Sequence, residues 1–379
     1  MMNEDIGVLP FHRPNFIAKI PTFMNRRRDS MAYLILEDGS RFEGTLFGHK
    51  QAAAGEVVFT TGMCGYQNTM TDPAYRGQIV CMTYPLIGNV GINDLDFESG
   101  EVQMAGVVVS ELCELPSNWQ LKKSLDEFLD EQGVTGIYGV DTRALTRHIR
   151  NRGAMRGWIV ENEQDTMEKA QRDLIMEATC REVYTVSAEG DVKIAVLDLG
   201  MKKSLTDWIV KKGAQVTVFP AHASAEEILA SGCDGVLVSG GPGNPNGYPQ
   251  IVETVKALMA AKPVMGVGTG HLMMAIASGC KVSKMLYGHH GGNQPVKDFA
   301  RGTCAVTTQA IGYAVDGEKL GTGVSVSHIN WNDKTVEGLK YEGKKAFSVA
   351  FIPAGLGGSF DTTYLFDEFL AMVRENAGK

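Results

Sequence analysis

Pro263-Val-Met-Gly-Val-Gly-Thr-Gly-His271 is the stretch that decides the fold of this chain. It begins as an apolar strand and runs into a tight glycine-rich turn, and Leu272–Ser278 behind the turn predicts a helix. A strand, a sharp turn and a helix in this order form a nucleophile elbow, which holds one side chain clear of a sheet and towards a substrate. The tip of this elbow is Gly268, which has no side chain for an attack. The stretch therefore predicts the scaffold of an enzyme without its nucleophile.

The second half of the chain alternates short apolar strands with helices from Lys193 onward. The predicted strands are Ile194–Asp198, Gln215–Phe219, Gly235–Ser239 and Val264–Val267. This alternation predicts an α/β fold with a doubly wound, mostly parallel sheet, which binds ligands at the carboxyl ends of its strands. Because Ser239–Gly243 and Gly266–His271 both fall at such ends, we expect one pocket between them.

The first half of the chain is richer in strands, from Ala32 to about Arg156. The predicted elements are a hairpin at Tyr33–Phe42, strands at Glu56–Thr60 and Gln78–Thr83, and helices at about Leu121–Gln132 and Thr142–Asn151. We therefore predict a second α/β domain. The predicted division is a flexible extension over 1–30, an N-terminal domain over 31–160, a linker with one amphipathic helix over 161–191, and a C-terminal domain over 192–379.

The composition is that of a soluble globular protein with two cores: 379 residues, 44% hydrophobic and 21% charged. A net charge of −8 argues against non-specific binding of nucleic acid. No apolar run reaches the roughly 18 to 20 residues that would span a membrane. The seven cysteines lack C-x-x-C spacing, so we interpret them as reduced thiols of a cytoplasmic protein and expect no metal site.

Two groups of motifs resemble the small subunit of carbamoyl-phosphate synthetase. The motifs of the first domain are Gly65–Gln67, Thr71–Tyr75, Thr83–Gly91 and Val140–Arg147. The motifs of the second are Asp198–Lys202, Gly241–Gly243, Gly270–His271 and Gly288–Asn293, and they resemble the class I glutamine amidotransferases. The resemblance covers nearly the whole chain from Tyr33, and its first group is specific because other glutamine amidotransferases lack that domain.

The resemblance implies a fold, a reaction and a partner. In the family, the second domain hydrolyses glutamine through a Cys-His-Glu triad, and the ammonia travels to a large subunit that makes carbamoyl phosphate from bicarbonate and two ATP. It implies a heterodimer with that large subunit, in pyrimidine or arginine biosynthesis. It implies no cofactor in this chain, because ATP and Mg belong to the large subunit.

The triad that the family uses is missing from this sequence. The family's nucleophile corresponds to Gly268, its general base to Ile352 and its orienting carboxylate to Ala354. A thiol that attacks an amide needs a base to form the thiolate and a third group to orient that base. None of these three side chains can take a proton or form a covalent bond.

Substrate-holding positions have changed as well. The resemblance implies that the ligand pocket comprises Gly62, Gly241, Gly243, Thr269, Leu272, Ala310, Gly312 and Tyr313. Leu272 stands where the family has Gln, Ala310 where it has Asn, and Gly62 where it has Ser. Each lost hydrogen bond costs about 0.5 to 1.5 kcal/mol, so losing three weakens glutamine binding by a factor of roughly hundreds. Gly241, Gly243 and the backbone of Thr269 still offer N–H groups, but an oxyanion hole without a nucleophile has little to stabilise.

Other residues that could carry chemistry are interpreted as structural. They are Cys280, Cys304, His271, the adjacent pair His289 and His290 in a glycine-rich loop, and Asp198 with Lys202 as a pair beside a turn. Cys280, for example, lies roughly 18 Å from Gly268 along the elbow helix at about 1.5 Å per residue.

The sequence therefore predicts a catalytically silent small subunit, a pseudo-glutaminase that supports a large subunit with ammonia as its nitrogen source and binds glutamine weakly or not at all. The substitutions at the site, to Gly, Ala, Ile and Leu, keep a core packed without polar demands. Two alternatives stay open. One is a free-standing regulatory or ligand-binding paralogue that has left the synthetase, and the other is a glutamine-hydrolysing subunit with an unrecognised mechanism.

Overall fold

The computed structural model describes residues 31–165, 172–354 and 359–379. The predicted extension over 1–30, and part of the predicted linker, lie outside these residues. The helices are α1 Tyr66–Met70, α2 Leu125–Glu131, α3 Thr142–Arg152, α4 Leu174–Ala178, α5 Lys203–Lys211, α6 Ala225–Ala230, α7 Pro249–Ala261, α8 Thr269–Ala277 and α9 Tyr364–Ala377.

The N-terminal domain is a closed barrel with the strand order β1-β2-β8-β6-β4-β3-β9. Its strands are β1 Met31–Leu36, β2 Arg41–Gly48, β3 Ala53–Thr60, β4 Gln78–Met82, β6 Gly106–Val108, β8 Thr135–Tyr138 and β9 Met155–Val160. Outside it, β5 Leu86–Ile87 pairs with β7 Glu111–Leu112. The predicted hairpin is confirmed, because β1 and β2 pair antiparallel with Leu34 opposite Phe42.

Helix α2 begins four residues later than the sequence pattern predicts. Ser124 accepts a hydrogen bond from the N–H of Glu127, whose carboxylate accepts one from the N–H of Ser124. This capping box fixes the helix start. The residues before Ser124 do not join the helix, because Lys123 forms a β-bridge with Ile92.

The C-terminal domain is built on one sheet with the strand order β10-β12-β11-β13-β14-β19-β18-β16-β15-β17. Its strands are β10 Tyr184–Ser187, β11 Val192–Asp198, β12 Ala214–Pro220, β13 Gly235–Val238, β14 Val264–Val267, β15 Val282–Asp298, β16 Cys304–Val315, β17 Val324–Asn330, β18 Val336–Tyr341 and β19 Ala346–Val349. The run β12-β11-β13-β14-β19 is parallel, which confirms the predicted doubly wound core. The flanking strands pair antiparallel.

Two segments of this sheet differ from the interpretation of the sequence. Tyr184–Ser187, inside the predicted linker, is an edge strand that pairs antiparallel with β12. Its side chains are largely exposed at the edge of the sheet. Gly288–Asn293 was expected as a glycine-rich loop but belongs to the long strand β15. The pairing register shifts on both sides of His289–Gly291, and Gly291 has φ +119, so the glycines mark bulges in a strand.

Buried charges join the two domains. The ammonium of Lys202, just before α5, lies 3.2 Å from a carboxylate oxygen of Asp72 and 3.2 Å from one of Glu98, both from the N-terminal domain. Burial alone would lower the pKa of Lys202, but the two carboxylates outweigh it and raise that pKa. Ser204 also donates its backbone N–H (3.1 Å) and its hydroxyl (3.1 Å) to Glu98.

Lys202 was expected to pair with Asp198, and that expectation is wrong. Asp198 instead accepts N–H groups from Gly200 (2.9 Å), Met201 (2.7 Å) and Cys180 (2.7 Å). These bonds hold the turn after β11 and leave Lys202 to bind carboxylates across the domain boundary.

Candidate functional site

The strand, the turn and the helix of the predicted elbow are all present in the structure. Strand β14 ends at Val267, and α8 begins at Thr269. Between them Gly268 has φ 56 and ψ −118, a backbone conformation that residues with a side chain adopt only under strain. Its N–H donates to the carbonyl of Val349 at 2.9 Å, and Gly270 donates to Ser239 at 2.9 Å. The turn that presents a nucleophile therefore persists around a residue that cannot be one.

The structure brings two of the three triad positions to one cavity. Gly268 and Ile352 both line a cavity at the carboxyl ends of the parallel strands. Ala354 is fully buried in the apolar cluster on the α9 side of the sheet, where its carbonyl accepts the indole N–H of Trp208 at 2.8 Å. Ile352 is held by its own N–H, which donates to the carbonyl of Thr308 at 2.9 Å.

The cavity at the tip of the elbow, which we call the elbow cavity, has little free space because protein atoms fill most of it. Its lining residues are Asp72, Ala74, Gly200, Lys202, Leu205, Gly240, Gly241, Val267, Gly268, Thr269, Ala310, Ala350 and Ile352. The space open to the centre of a water molecule is about 10 Å³. One water needs about 10 to 15 Å³ by this measure, so the cavity has room for a single water and not for an amino acid.

The predicted ligand-pocket residues fall into three groups. Gly241, Thr269 and Ala310 line the elbow cavity, whereas Gly62 lines a second cavity beside it. The remaining positions are Gly243, Leu272, Gly312 and Tyr313, and the structure does not bring them to either lining. Leu272, for example, is 1% exposed within the apolar core on the α7 and α8 side of the sheet.

A hydrogen bond closes the elbow against the neighbouring glycine loop. The hydroxyl of Thr269 donates to the carbonyl of Gly241. Gly241 is packed so closely that a Cβ atom there would lie 2.0 Å from the carbonyl oxygen of Leu199. The loop therefore cannot retreat towards β11 to enlarge the cavity without moving that strand's end.

The second cavity lies between the domains. Its lining residues are Gly62, Cys64, Asn68, Thr69, Asp72, Tyr75, Lys202, Gly291, Gly292, Thr308 and Gln309. The space open to the centre of a water molecule is about 20 Å³. Asp72 and Lys202 line both cavities, so the interdomain charges form the wall between them.

The adjacent histidines have opposite electrostatic environments. Burial disfavours charge on His289, but its hydrogen bonds to Asp333 (2.8 Å) and Glu337 (3.0 Å) raise its pKa to about 10. Burial lowers the pKa of His290 to about 3, and the positive charge of His289 adds to this. A shared metal ion would need both rings to face one point with neutral nitrogens, and the first ring is bound to two carboxylates.

The elbow histidine and the thiol at the end of its helix occupy structural positions. His271 is fully buried, its Nδ1 lies 2.8 Å from the hydroxyl of Ser348, and burial lowers its pKa to about 3. Cys280 accepts the N–H of Gly321 at 3.3 Å, and burial raises its thiol pKa, which keeps it protonated. Both groups lie outside the linings of the two cavities.

Sequence reasoning missed two buried carboxylates that bind Lys202: Asp72, which lines both cavities, and Glu98, which lies behind it. Both are ordinary acidic residues in loops of the first domain, and their partner lies more than a hundred residues away. A signal existed for Asp72 alone, since it belongs to one of the motifs of the first domain. Its role as a buried counter-ion to Lys202 depends on how the domains meet.

The parallel sheet, the elbow and the glycine loop at its rim define a glutamine amidotransferase fold. The family model described as glutamine amidotransferase class-I matches residues 195–372. The family model described as the CPSase domain of the carbamoyl-phosphate synthase small chain matches residues 34–159. The chain belongs to the family of carbamoyl-phosphate synthase small chains.

Curated relatives align with this chain over nearly their whole length. The carbamoyl phosphate synthase small chains of Bacillus caldolyticus and Caldanaerobacter subterraneus subsp. tengcongensis are each 44% identical, with 90% of this chain and 96% of the relative aligned. That of Listeria monocytogenes serotype 4b is 42% identical with the same coverage. Over 31–165, 172–354 and 359–379, no helix combines the length and apolar character needed to cross a membrane.

Proposed function

We propose that this chain is a catalytically silent small subunit, a pseudo-glutaminase that docks on a large carbamoyl-phosphate synthetase subunit. In this proposal the complex makes carbamoyl phosphate from ammonia rather than glutamine, for pyrimidine or arginine synthesis. ATP and Mg bind to the large subunit and not to this chain. One observation carries the proposal: the elbow tip, Gly268, opens onto a cavity with room for about one water molecule.

The residues that line the elbow cavity lack each feature that glutamine hydrolysis needs, which supports the absence of glutaminase activity. Glutamine hydrolysis by this class of fold needs a nucleophile at the tip, a base beside it and space for the substrate. The tip is Gly268, the base position is Ile352, and the position of a substrate-binding amide is Ala310. With neither a nucleophile nor room for the amide, the backbone donors of the elbow have no oxyanion to stabilise.

A cysteine outside the elbow is a poor substitute for the missing nucleophile. Cys64 is exposed and lines the interdomain cavity, where Lys202 and Tyr75 also lie. Lys202 stays protonated beside two carboxylates, and burial raises the pKa of Tyr75 far above its usual range, so neither of these two side chains is suited to act as a base.

The contacts between the two domains are intact, as a working subunit requires. The buried charges of Lys202, Asp72 and Glu98 fix the barrel against the sheet. Thr61 adds a hydroxyl bond of 2.7 Å to Asn293 across the same boundary. A free-standing regulatory paralogue would use the same two-domain body, so binding to the large subunit is what separates the two proposals.

The decisive experiment is co-expression of the full chain with its cognate large subunit, followed by carbamoyl-phosphate synthesis from glutamine and from ammonium side by side. We expect a stable complex that is active with ammonium and inactive with glutamine, and no ammonia release from glutamine by the chain alone. Synthesis from glutamine would overturn the proposal of silence. Failure to form a complex would favour the regulatory paralogue.

A further inference from the structure

One strand of the large sheet has a free edge. In the described part of the chain, β10 pairs with β12 alone, whereas every other strand of this sheet pairs with at least two others. A free edge presents backbone N–H and C=O groups that can pair with a strand of another chain. The sheet can therefore be extended at β10.

The side chains along this edge are apolar and exposed. Val183 is 52% exposed, Tyr184 44% and Val186 40%. Soluble proteins commonly protect a free edge with lysine, proline or other charged side chains, and residues 183–187 include none of these. Val, Tyr and Thr are instead the residues that favour strands. The composition is that of a strand with neighbours on both sides.

A bulge leaves one residue of β10 without a partner on β12. Thr185 lies opposite Thr217 and Ser187 lies opposite Val216, so Val186 is the extra residue. The extra residue of a bulge stays outside the ladder of the strand pair. Bulges can protect an edge by twisting it, but Val186 remains exposed here.

The sequence around β10 is complementary to itself when two copies run antiparallel. With the pairing centred on Thr185, Tyr184 lies opposite Val186 of the other copy, and Arg181 lies opposite Glu189. A two-fold axis repeats both pairs, because such an interface uses the same patch on each copy. Aromatic residues opposite β-branched ones, and opposite charges, stabilise antiparallel strands. A centre between Thr185 and Val186 would instead set Glu182 against Glu189.

The two charged residues are available for this contact. Arg181 and Glu189 are exposed, and neither forms an ion pair within residues 31–165, 172–354 and 359–379. Both ends of the segment are held by hydrogen bonds: the N–H of Cys180 donates to Asp198 at 2.7 Å, and the N–H of Glu189 donates to the hydroxyl of Ser187 at 3.2 Å. A segment that is ordered beforehand loses less conformational entropy on binding.

We propose that a second copy of this chain binds at β10, with the two strands antiparallel and centred on Thr185. The sheets of the two copies then join into one. The interface contains two pairs of Tyr184 with Val186 and two ion pairs of Arg181 with Glu189. This inference is independent of the proposed function, because it concerns the assembly of the chain with itself.

Sedimentation equilibrium of the full chain over a range of concentrations tests the pairing. We expect a monomer–dimer equilibrium for the unaltered chain. Lysine on an edge strand opposes pairing with another chain, so Val186→Lys should be monomeric over the same range, with an unchanged melting temperature. The matched control is Val306→Lys, because Val306 is 43% exposed on β16, and it should dimerise like the unaltered chain.

A charge exchange tests the register. Arg181→Glu sets two carboxylates against each other at both ends of the interface and should weaken dimerisation at least about tenfold. Arg181→Glu combined with Glu189→Arg restores opposite charges. The dissociation constant of this double variant should return to within about threefold of that of the unaltered chain.

Other results overturn the proposal in distinct ways. A monomeric unaltered chain, or a dimer that Val186→Lys leaves intact, excludes binding of a second copy at β10. A dimer that Arg181→Glu weakens and the charge exchange does not restore refutes the register. If the unaltered chain is monomeric and Val186→Lys, unlike Val306→Lys, weakens binding of the large subunit, the edge belongs to that subunit and not to a second copy.

Discussion

Replacing Lys202 by Met should destabilise the chain severely, because it leaves two carboxylates buried without their cation. The side chain of Lys202 is 7% exposed, that of Asp72 3% and that of Glu98 0%. Removing one partner from a buried ion network costs about 3 to 5 kcal/mol. Whole domains are stable by about 5 to 15 kcal/mol, so this is a large share.

The neighbouring residue supplies the control. Lys203 pairs with Asp207 on the surface of α5, with side chains 65% and 47% exposed. Exposed pairs of this type contribute about 0 to 1 kcal/mol, so Lys203→Met should change stability little. Both substitutions remove one positive charge and add the same side chain, and they differ only in burial.

Equilibrium urea unfolding of the full chain measures both variants. If Lys202→Met and Lys203→Met lower the free energy of unfolding by amounts within about 1 kcal/mol of each other, the interdomain charges do not act as a buried network. A third variant sharpens the result: adding Asp72→Asn and Glu98→Gln to Lys202→Met removes the stranded charges and should recover much of the loss.

Three further predictions concern the elbow and the buried histidine. Gly268→Ala should lower the free energy of unfolding by about 1 to 3 kcal/mol, since φ is 56, and an unchanged urea midpoint would contradict this. Rebuilding the triad with Gly268→Cys, Ile352→His and Ala354→Glu should give no measurable ammonia release from glutamine, because the cavity is too small to hold the substrate, and measurable turnover would disprove that reasoning. His289 has its pKa raised to about 10, so its contribution to stability is complete below about pH 6.5 and is lost as pH rises through 10. The melting temperature should fall over that range, less so in His289→Asn, and parallel pH profiles would show that His289 is not the cause.

Local pattern was sufficient for the parallel core and for the elbow. The strand before Gly268 is a short apolar run, the turn is glycine-rich and the helix follows at once, so neighbouring residues determine this part of the fold. Local sequence patterns do not show which strands pair when they lie far apart in the sequence. Closure of the first domain into a barrel joins β1 to β9, whose residues are more than a hundred positions apart.

Two errors show where local pattern fails. The glycines of Gly288–Asn293 predicted a loop, whereas the segment is a bulged strand whose backbone is paired on β16. The pairing of Lys202 with Asp198 was inferred from nearness in sequence, yet Lys202 lies against Asp72 and Glu98. In both cases the deciding partners lie on other elements.

The apolar residues at the predicted site pack in the cores of the C-terminal domain. Leu272 and Ala354 are 1% and 0% exposed in the two apolar cores that flank the sheet, and Ile352 is 9% exposed in the core that also holds Ala354. A carboxylate at the position of Ala354 would enter that core, where burying a charge without partners is strongly unfavourable. Catalysis at the elbow would therefore need a polar network around the side chains as well as the side chains themselves. Around Ala354 and Leu272 the surroundings are apolar, so they disfavour the charged side chains that such a network would contain.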